Sequence, residues 1–309
     1  MSLYKRSTVI GPRRFFAGQT FTHRKLFMSL SLALFSASAS AGPLVYAVST
    51  NFNNFTGQFG TLDLTTGTFN QIGPVISDPL FGLMPGPNGN LLSLSVSGNL
   101  DSVNPATGAV SVIGATGLGD VAGVTGELNG TVYATDLYNN LYSVNTTTGV
   151  ASLIGPTGLP ICPSLVSSSE VSDETLFTAN GKLYATFDGV NLMNLAAVDS
   201  PALYQINPAT GVATLVGPTA LGLDAVVQLN GTVYGLDFGF YAGSNTVLSL
   251  NLANGNTTFL NDYVSSPTAG GVNAFDVLGV SPTPEPASFT LVGIGIAAVL
   301  VSKLRKRRS

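Results

Sequence analysis

The chain has 309 residues, with 12 Lys and Arg, 16 Asp and Glu, one His and one Cys. Between residues 42 and 283 lie 15 acids and a single base, Lys182, a formal charge of about −14 that excludes nucleic acid as a partner, because no basic surface is available to neutralise phosphates. His23 precedes this span, so the body also lacks the imidazole needed for Ser-His or Cys-His catalysis or a His-ligated metal.

The first predicted element is a secretory signal peptide over residues 1–41. Arg24 and Lys25 precede an apolar run at 26–35, and a stretch of small Ala and Ser residues follows at 37–41. This is the order of charged region, hydrophobic region and cleavage site found in export signals. We therefore expect the body to be exported and the leader to be removed within the small-residue stretch.

The leader is unusually long before its apolar run. Arg13 and Arg14, followed by two Phe residues, are also found in twin-arginine signals, although the apolar run begins more than ten residues later. A start codon placed too early would explain the length equally well. Both interpretations leave export as the expected fate of the body.

Five copies of one unit occupy residues 42–281. The clearest copy is LYSVNTTTGVASLIGP at 141–156, in which two strand-like segments flank a tight turn. Asn104, Asn145 and Asn207 open three of these turns, where their side chains are expected to bond local backbone. Each turn ends in a glycine that can adopt positive φ: Gly67, Gly108, Gly149, Gly211 and Gly255.

Each copy is predicted to contain four strands. A segment of the type TVYATD precedes each turn hairpin, at 44–49, 91–96, 131–136, 182–188 and 232–237, and a weaker apolar segment follows it, as at 121–128, 224–229 and 271–280. Twenty short strands at a period of about 40–50 residues predict an all-β fold, a five-bladed β-propeller of four-stranded blades. The repeat resembles that of secreted propellers built on LYxVNPxTGxxxxIG. A pair of β-sandwiches and a β-solenoid are the alternatives.

Counting from the TVYATD-type strand gives units at about 44–90, 91–130, 131–181, 182–231 and 232–280. The third and fourth units are longer than the others. We interpret their extra length, at 161–178 and 189–201, as loop insertions on a rim of the propeller.

Three aspartates, Asp136, Asp188 and Asp237, recur at the ends of similar strands. Closure of the ring could bring their carboxylates around one face of the channel, where they would suit Ca²⁺. The alternative is that each Asp caps the turn at its strand end. No D-x-D-x-D-G loop supports calcium, and no other cofactor is expected.

Tyrosines and a cysteine are the remaining candidates. Tyr46, Tyr133, Tyr184 and Tyr234 share one strand position, where packing between blades competes with stacking on sugar. Cys162 lies in a Pro-flanked segment and is interpreted as a small buried hydrophobe, with intermolecular pairing and lipid attachment as alternatives.

The C-terminus of the chain combines three features in a fixed order. Pro284, Glu285 and Pro286 are followed by an uncharged run at 287–302, which as a helix is about 24 Å long and nearly spans a hydrocarbon core of about 30 Å. A basic tail then supplies Lys303, Arg305, Lys306, Arg307 and Arg308. Because basic residues stay in the cytoplasm, we expect a single transmembrane helix with the body on the opposite side of the membrane.

This tripartite end resembles the PEP-CTERM sorting signal of Gram-negative bacteria. The resemblance covers about residues 282–309 and implies recognition of the Pro-Glu-Pro motif by the membrane enzyme exosortase. It further implies removal of the helix and transfer of the body from the inner membrane to the cell surface or an extracellular matrix. An ordinary tail anchor that is never cut is the alternative.

The expected function is therefore a non-enzymatic one in adhesion, biofilm formation or ligand binding, with export machinery, exosortase and exopolysaccharide as partners. The alternative is a secreted carbohydrate-active hydrolase or lyase that uses Asp or Glu. No spacing selects two particular carboxylates for such an enzyme.

Overall fold

The computed structural model describes residues 43–51, 56–118, 121–136, 138–159, 170–191, 196–237, 246–262 and 273–278. The predicted signal peptide, the sorting signal with its helix and basic tail, and Cys162 lie outside the described residues. Those predictions therefore stay predictions.

Twenty strands form the described part of the chain. In order they are β1 (Leu44–Asn51), β2 (Thr56–Asp63), β3 (Phe69–Ile76), β4 (Leu80–Pro85), β5 (Leu91–Ser95), β6 (Asn99–Val103), β7 (Val110–Ala115), β8 (Val121–Leu128), β9 (Thr131–Asp136), β10 (Asn140–Val144), β11 (Ala151–Pro156), β12 (Glu170–Ala179), β13 (Lys182–Asn191), β14 (Ala196–Ile206), β15 (Ala213–Pro218), β16 (Ala225–Leu229), β17 (Thr232–Asp237), β18 (Thr246–Leu250), β19 (Thr257–Asp262) and β20 (Asn273–Leu278). A 3-10 turn, Pro87–Gly89, joins β4 to β5.

The strands pair into five antiparallel sheets, the blades. Blade 1 has the order β20-β1-β2-β3, and blades 2 to 5 are β4–β7, β8–β11, β12–β15 and β16–β19. The innermost strands contact one another in the cyclic order β20, β4, β8, β12, β16 and back to β20. The predicted five-bladed propeller of four-stranded blades is thus confirmed.

Blade 1 is built from both ends of the body. The last strand, β20, pairs with β1, with Asn273 opposite Asn51 and Leu278 opposite Ala47. The predicted units are consequently offset by one strand from the blades, because each unit ends with the inner strand of the next blade. The pairing of β20 with β1 closes the ring, because neither end of the body can separate without breaking the hydrogen bonds of blade 1.

The predicted loop insertions are largely strand. Residues 170–178 belong to β12, the inner strand of blade 4, and most of 189–201 lies in β13 and β14. These two strands have 10 and 11 residues and continue to pair beyond the length of their equivalents. The extra residues therefore lengthen the hairpin of β13 and β14, in which strand pairing keeps the backbone N–H and C=O groups hydrogen-bonded.

The apolar core lies in the seams between blades. Successive side chains of a strand point to opposite faces of the sheet, so each blade packs one face against the preceding blade and the other against the following blade. Tyr133 packs against Leu183 and Phe187 of blade 4, whereas Val132 and its neighbours face blade 2. The other three tyrosines occupy the equivalent clusters: Tyr46, Tyr184 and Tyr234. Packing between blades is confirmed as the role of this position.

The repeated turns are built as predicted. In the turn between β10 and β11 the Asn145 side chain accepts bonds from the N–H groups of Thr147 (2.9 Å) and Thr148 (3.1 Å). The N–H of Gly149 donates to the Asn145 carbonyl at 2.8 Å, and Gly149 has φ +82°. Asn104 and Asn207 bond their turns in the same way.

Four seams share a contact between two glycines, one in an outer strand and one in the turn of the next blade. A Cβ added to either partner would meet the backbone of the other blade. The pairs are Gly73–Gly108, Gly114–Gly149, Gly155–Gly211 and Gly217–Gly255. The blades can therefore approach so closely only because neither partner has a side chain.

The fifth seam, between blades 5 and 1, uses a different contact. Asn261 takes the place of the outer-strand glycine, because it pairs with Val247 as Gly155 pairs with Leu141. Its side-chain amide donates to the carbonyl of Thr65 in the first turn of blade 1. A hydrogen bond thus replaces the glycine contact where the ring closes.

Candidate functional site

The two ends of the blades differ in how their strands are connected. One end, the turn face, carries the inner turns 86–90, 129–130, 180–181 and 230–231 and the outer turns 64–68, 104–109, 145–150, 207–212 and 251–256. The opposite end, the loop face, carries the described connections 77–79, 96–98, 116–118, 138–139, 157–159 and 219–224. The turns of the turn face repeat from blade to blade, whereas these connections differ, and variable connections on a rigid scaffold are where proteins usually place binding residues. The loop face is therefore the candidate site.

Acidic residues are concentrated towards the loop face. Nine lie in its connections or at the strand ends beside them: Asp78, Asp136, Glu170, Asp173, Asp188, Asp199, Asp224, Asp237 and Asp262. The turn face has Asp63 and Glu127, together with the single base of the body, Lys182. Charge is consequently distributed unevenly along the axis of the propeller, with a strongly negative loop face and a nearly neutral turn face.

Asp136 organises the loop between β9 and β10. Its carboxylate accepts bonds from the backbone N–H groups of Tyr138 and Asn140, both at 2.9 Å. The Asn140 side-chain amide donates to both carboxylate oxygens, at 3.2 and 2.9 Å, and the hydroxyl of Tyr142 donates at 2.9 Å. Turn capping, the alternative to calcium, is confirmed for this residue.

The Asp136 bond has an electrostatic consequence for Tyr142. Burial raises the pKa of this phenol, and the hydrogen bond to the Asp136 carboxylate raises it further, because the bond holds the neutral hydroxyl and the nearby charge repels a phenolate. Tyr142 therefore stays a neutral donor at physiological pH.

Asp188 does not occupy the position equivalent to Asp136. Leu183 pairs with Ile206 as Val132 pairs with Val144, which places Phe187 at that position and Asp188 one residue beyond it. A shift of one residue turns a side chain to the other side of the sheet. The segment KLYATFD has one residue more than TVYATD, and the prediction overlooked this difference.

Asp188 and Asp237 both face the seam between blades 4 and 5. Asp188 lies on the side of β13 that carries Tyr184, against Gly222 of the connection between the blades. Asp237 lies on the side of β17 that carries Val233, which faces blade 4. Both aspartates are buried. Side chains of second strands point to neighbouring blades, which explains why ring closure does not direct them into the channel.

Threonines of blade 4 hold the same connection. The Thr186 hydroxyl donates to the Leu223 carbonyl at 3.1 Å, and the Thr175 hydroxyl donates to the Asp224 carbonyl at 2.9 Å.

Asp136, by contrast, faces blade 2. Among the described residues, no three His, Cys, Asp or Glu side chains are grouped closely enough to hold a metal ion, so these three carboxylates are not brought together.

A hydrogen-bonded chain on blade 2 was not foreseen from the sequence. Asp78 accepts from the N–H of Ser97 at 3.2 Å and from the Ser97 hydroxyl, and Ser97 and Ser95 share a bond of 3.2 Å. Ser95 in turn bonds the buried carboxyl of Asp101. The chain joins the connection 77–79 to the interior of the blade.

The surroundings of Asp101 raise the pKa of its carboxyl group. Burial raises the pKa of this carboxyl, the hydrogen bond from Ser95 partly opposes the increase, and the charge of Asp78 adds to it. Asp101 and Ser95 occupy the positions of Tyr142 and Asp136 in blade 3. The acid and the hydroxyl have exchanged places between blades 2 and 3, and aligning LDSVN with LYSVN shows only the half of this exchange at Asp101.

No family model and no curated protein matches the chain. Solved structures resemble it weakly: a protein of unknown function from Bacteroides thetaiotaomicron (15% identity, TM-score 0.44, covering 72% of this chain and 59% of that one) and TolB from Acinetobacter baumannii (14% identity, TM-score 0.42, covering 77% and 57%). The chain spans less than two thirds of either protein. The fold assignment rests on the strand pairing itself.

Within the described ranges, no helix combines the length and apolar character that crossing a membrane requires. The sorting-motif residues Pro284, Glu285 and Pro286, and the basic tail after them, are outside those ranges.

Proposed function

We propose that the protein is an exported β-propeller that is sorted through its C-terminus by exosortase and acts without catalysis in adhesion or ligand binding at the cell surface or in an exopolysaccharide matrix. The observation that carries this proposal is the order of Pro284, Glu285 and Pro286, an uncharged run at 287–302 and a basic tail. The signal-like segment at 1–41 supports export.

The chemistry of the loop face favours binding over turnover. Asp136 is occupied by four donor groups of its own loop, and Asp188 and Asp237 are buried in a seam. A glycoside hydrolase needs two carboxyl groups beside an open substrate position. An excess of exposed acid also keeps a body with few other charges soluble outside the cell.

The sorting proposal is tested by replacing Pro284 and Pro286 with Ala and following the size and location of the protein in cells that contain exosortase. We expect the full-length precursor to accumulate in the inner membrane. Pro282→Ala is the matched control, because it removes a neighbouring proline outside the motif. Normal processing of the double variant would contradict recognition of the Pro-Glu-Pro motif, whereas a wild-type chain that is never shortened would favour an uncut tail anchor.

The competing carbohydrate-active enzyme is tested with residues 42–283 and a panel of polysaccharides. Saturable binding without product supports the proposal. Any turnover that survives purification to homogeneity would overturn its non-catalytic part.

A further inference from the structure

Both ends of the propeller leave from the turn face, close to its centre. The inner strand β20 runs from the loop face to the turn face and ends at Leu278, and β1 begins on the turn face at Leu44. The two strands pair, with Leu278 opposite Ala47. The segment that continues to the apolar run therefore starts near the axis of the ring.

The length of that segment limits how the tethered body can be oriented. Eleven residue steps lead from Leu278 to Phe289 in the apolar run, and Pro282, Pro284 and Pro286 favour an extended linker of about 3.1 Å per residue, or about 34 Å in all. A path to the rim of the loop face needs about 34 Å, because it crosses three strand spacings of about 4.8 Å and then a strand length of about 20 Å. Placing the loop face against the membrane would therefore use the whole extended linker as a path around the outside of a blade, whereas the turn face approaches the membrane without this detour.

The charge distribution favours the same orientation independently. Nine acids lie towards the loop face, whereas the turn face carries two acids and Lys182 among neutral Asn, Thr and Gly. A surface of anionic lipids repels the loop face over a Debye length of about 8–10 Å and barely affects the turn face.

We infer that, in the tethered precursor, the turn face is the membrane-facing surface of the propeller and the acidic loop face points away from the bilayer, where it meets external ligands. This inference rests on the C-terminal membrane helix of the proposed function. The partner of the turn face is a phospholipid surface, which the neutral residues of the turns contact.

The outer strands offer a rival arrangement in which the propeller lies on its side. They expose an apolar residue at one equivalent position on four successive blades, Val112, Leu153, Leu215 and Phe259, and blades 1 and 5 expose Val75 and Leu260 as well. These residues are spread around the whole rim, so a flat bilayer could meet only one or two at a time. A label on the rim distinguishes this arrangement from the inferred one.

The test uses residues 42–309, with Cys162 replaced by Ser, reconstituted into vesicles of anionic phospholipid that carry a nitroxide on the headgroup. Single cysteines with a fluorophore are placed at exposed positions: Thr232→Cys on the turn face, Ala220→Cys on the loop face and Leu215→Cys on the rim. The turn-face label is expected to lose most of its fluorescence, while the loop-face label keeps it. A second pair on blade 3, Thr147→Cys and Tyr138→Cys, should repeat the difference.

Two controls separate this inference from the function on which it rests. A chain ending at Thr283 should neither float with vesicles nor be quenched at any label. If residues 42–309 also fail to float, the membrane helix and the proposed sorting are wrong. If they float but the loop-face or rim label is quenched as strongly as the turn-face label, the orientation is wrong while the sorting proposal stands.

Discussion

The turn face and the loop face are built from the same strands by different means. On the turn face, an Asx-bonded turn and a glycine recur in each blade, and four glycine pairs lock neighbouring blades together. On the loop face, each blade has its own solution: a carboxylate hub on blade 3, a serine–aspartate chain on blade 2 and buried acids between blades 4 and 5. One face thus maintains the ring, while the other can vary without opening it.

The largest expected effect comes from a glycine of the turn face. Gly149→Ala introduces a Cβ at φ +82° that overlaps the backbone of Gly114 in the preceding blade. Left-handed strain costs about 1–2 kcal/mol, and separation of the blades adds to it, so we expect a loss of more than about 3 kcal/mol in the free energy of unfolding. Denaturant titration of residues 42–283 measures it.

Gly158→Ala on the loop face is the matched control. Gly158 has φ +74°, but an added Cβ would meet no atom within 4 Å. Only backbone strain remains, and we expect a loss of about 1 kcal/mol. Equal losses for the two variants would show that the glycine pairs do not hold the seams.

Removal of the blade 3 hub should have the next largest effect. Asp136→Ala leaves the N–H groups of Tyr138 and Asn140 and the hydroxyl of Tyr142 without their acceptor. Bonds to a charged group contribute about 1.5–3 kcal/mol, so we expect a loss of about 2–3 kcal/mol.

Tyr142→Phe separates the contributions within this hub. It removes one donor and leaves the backbone bonds of Asp136 intact, so a loss of about 1 kcal/mol is expected in the same titration. If Asp136→Ala proves as mild as Tyr142→Phe, the loop is held by its neighbours and not by the carboxylate.

A smaller effect is expected at the closing seam. Asn261→Ala removes the bond to the Thr65 carbonyl, and a loss of about 1 kcal/mol should follow. Asn261→Gly recreates the residue that the other four seams use, so we expect it to be less destabilising than Asn261→Ala in thermal unfolding, despite the greater chain entropy of glycine. The reverse order would show that this seam cannot adopt the glycine contact.

The regularity of the turn face explains what the sequence could predict. The spacing of Gly67, Gly108 and Gly149 made the repeat visible, and periodic turns with four strand-like segments predicted the five blades. Ring closure by β20 displaced the unit boundaries, because strand pairing between chain ends leaves no local pattern.

The loop face was harder to predict because its contacts cross between segments. The strand-end pattern aligns Asp188 with Asp136, but strand pairing places one more residue before Asp188. Nothing near Asp101 in the sequence indicated its link to Asp78 through two serines. Such contacts depend on blade packing, which a periodic pattern does not encode.

The smallest effect concerns pH and Asp101. Its folded-state pKa is raised above the ordinary 3.8, so the folded state binds the proton more tightly than the unfolded state. Burial of this group therefore costs nothing below about pH 3.8, and its cost grows as pH rises through the folded pKa. Asp101→Asn cannot ionise, so its melting temperature relative to the wild type should increase over that range and then level off. Any change in its bond to Ser95 adds an offset that is independent of pH.

Ser95→Ala removes the hydrogen bond that limits the rise in the pKa of Asp101, so the melting temperature of this variant should fall more steeply with pH than that of the wild type. A difference between Asp101→Asn and the wild type that is flat from pH 3 to 8 would contradict an ionised, desolvated Asp101.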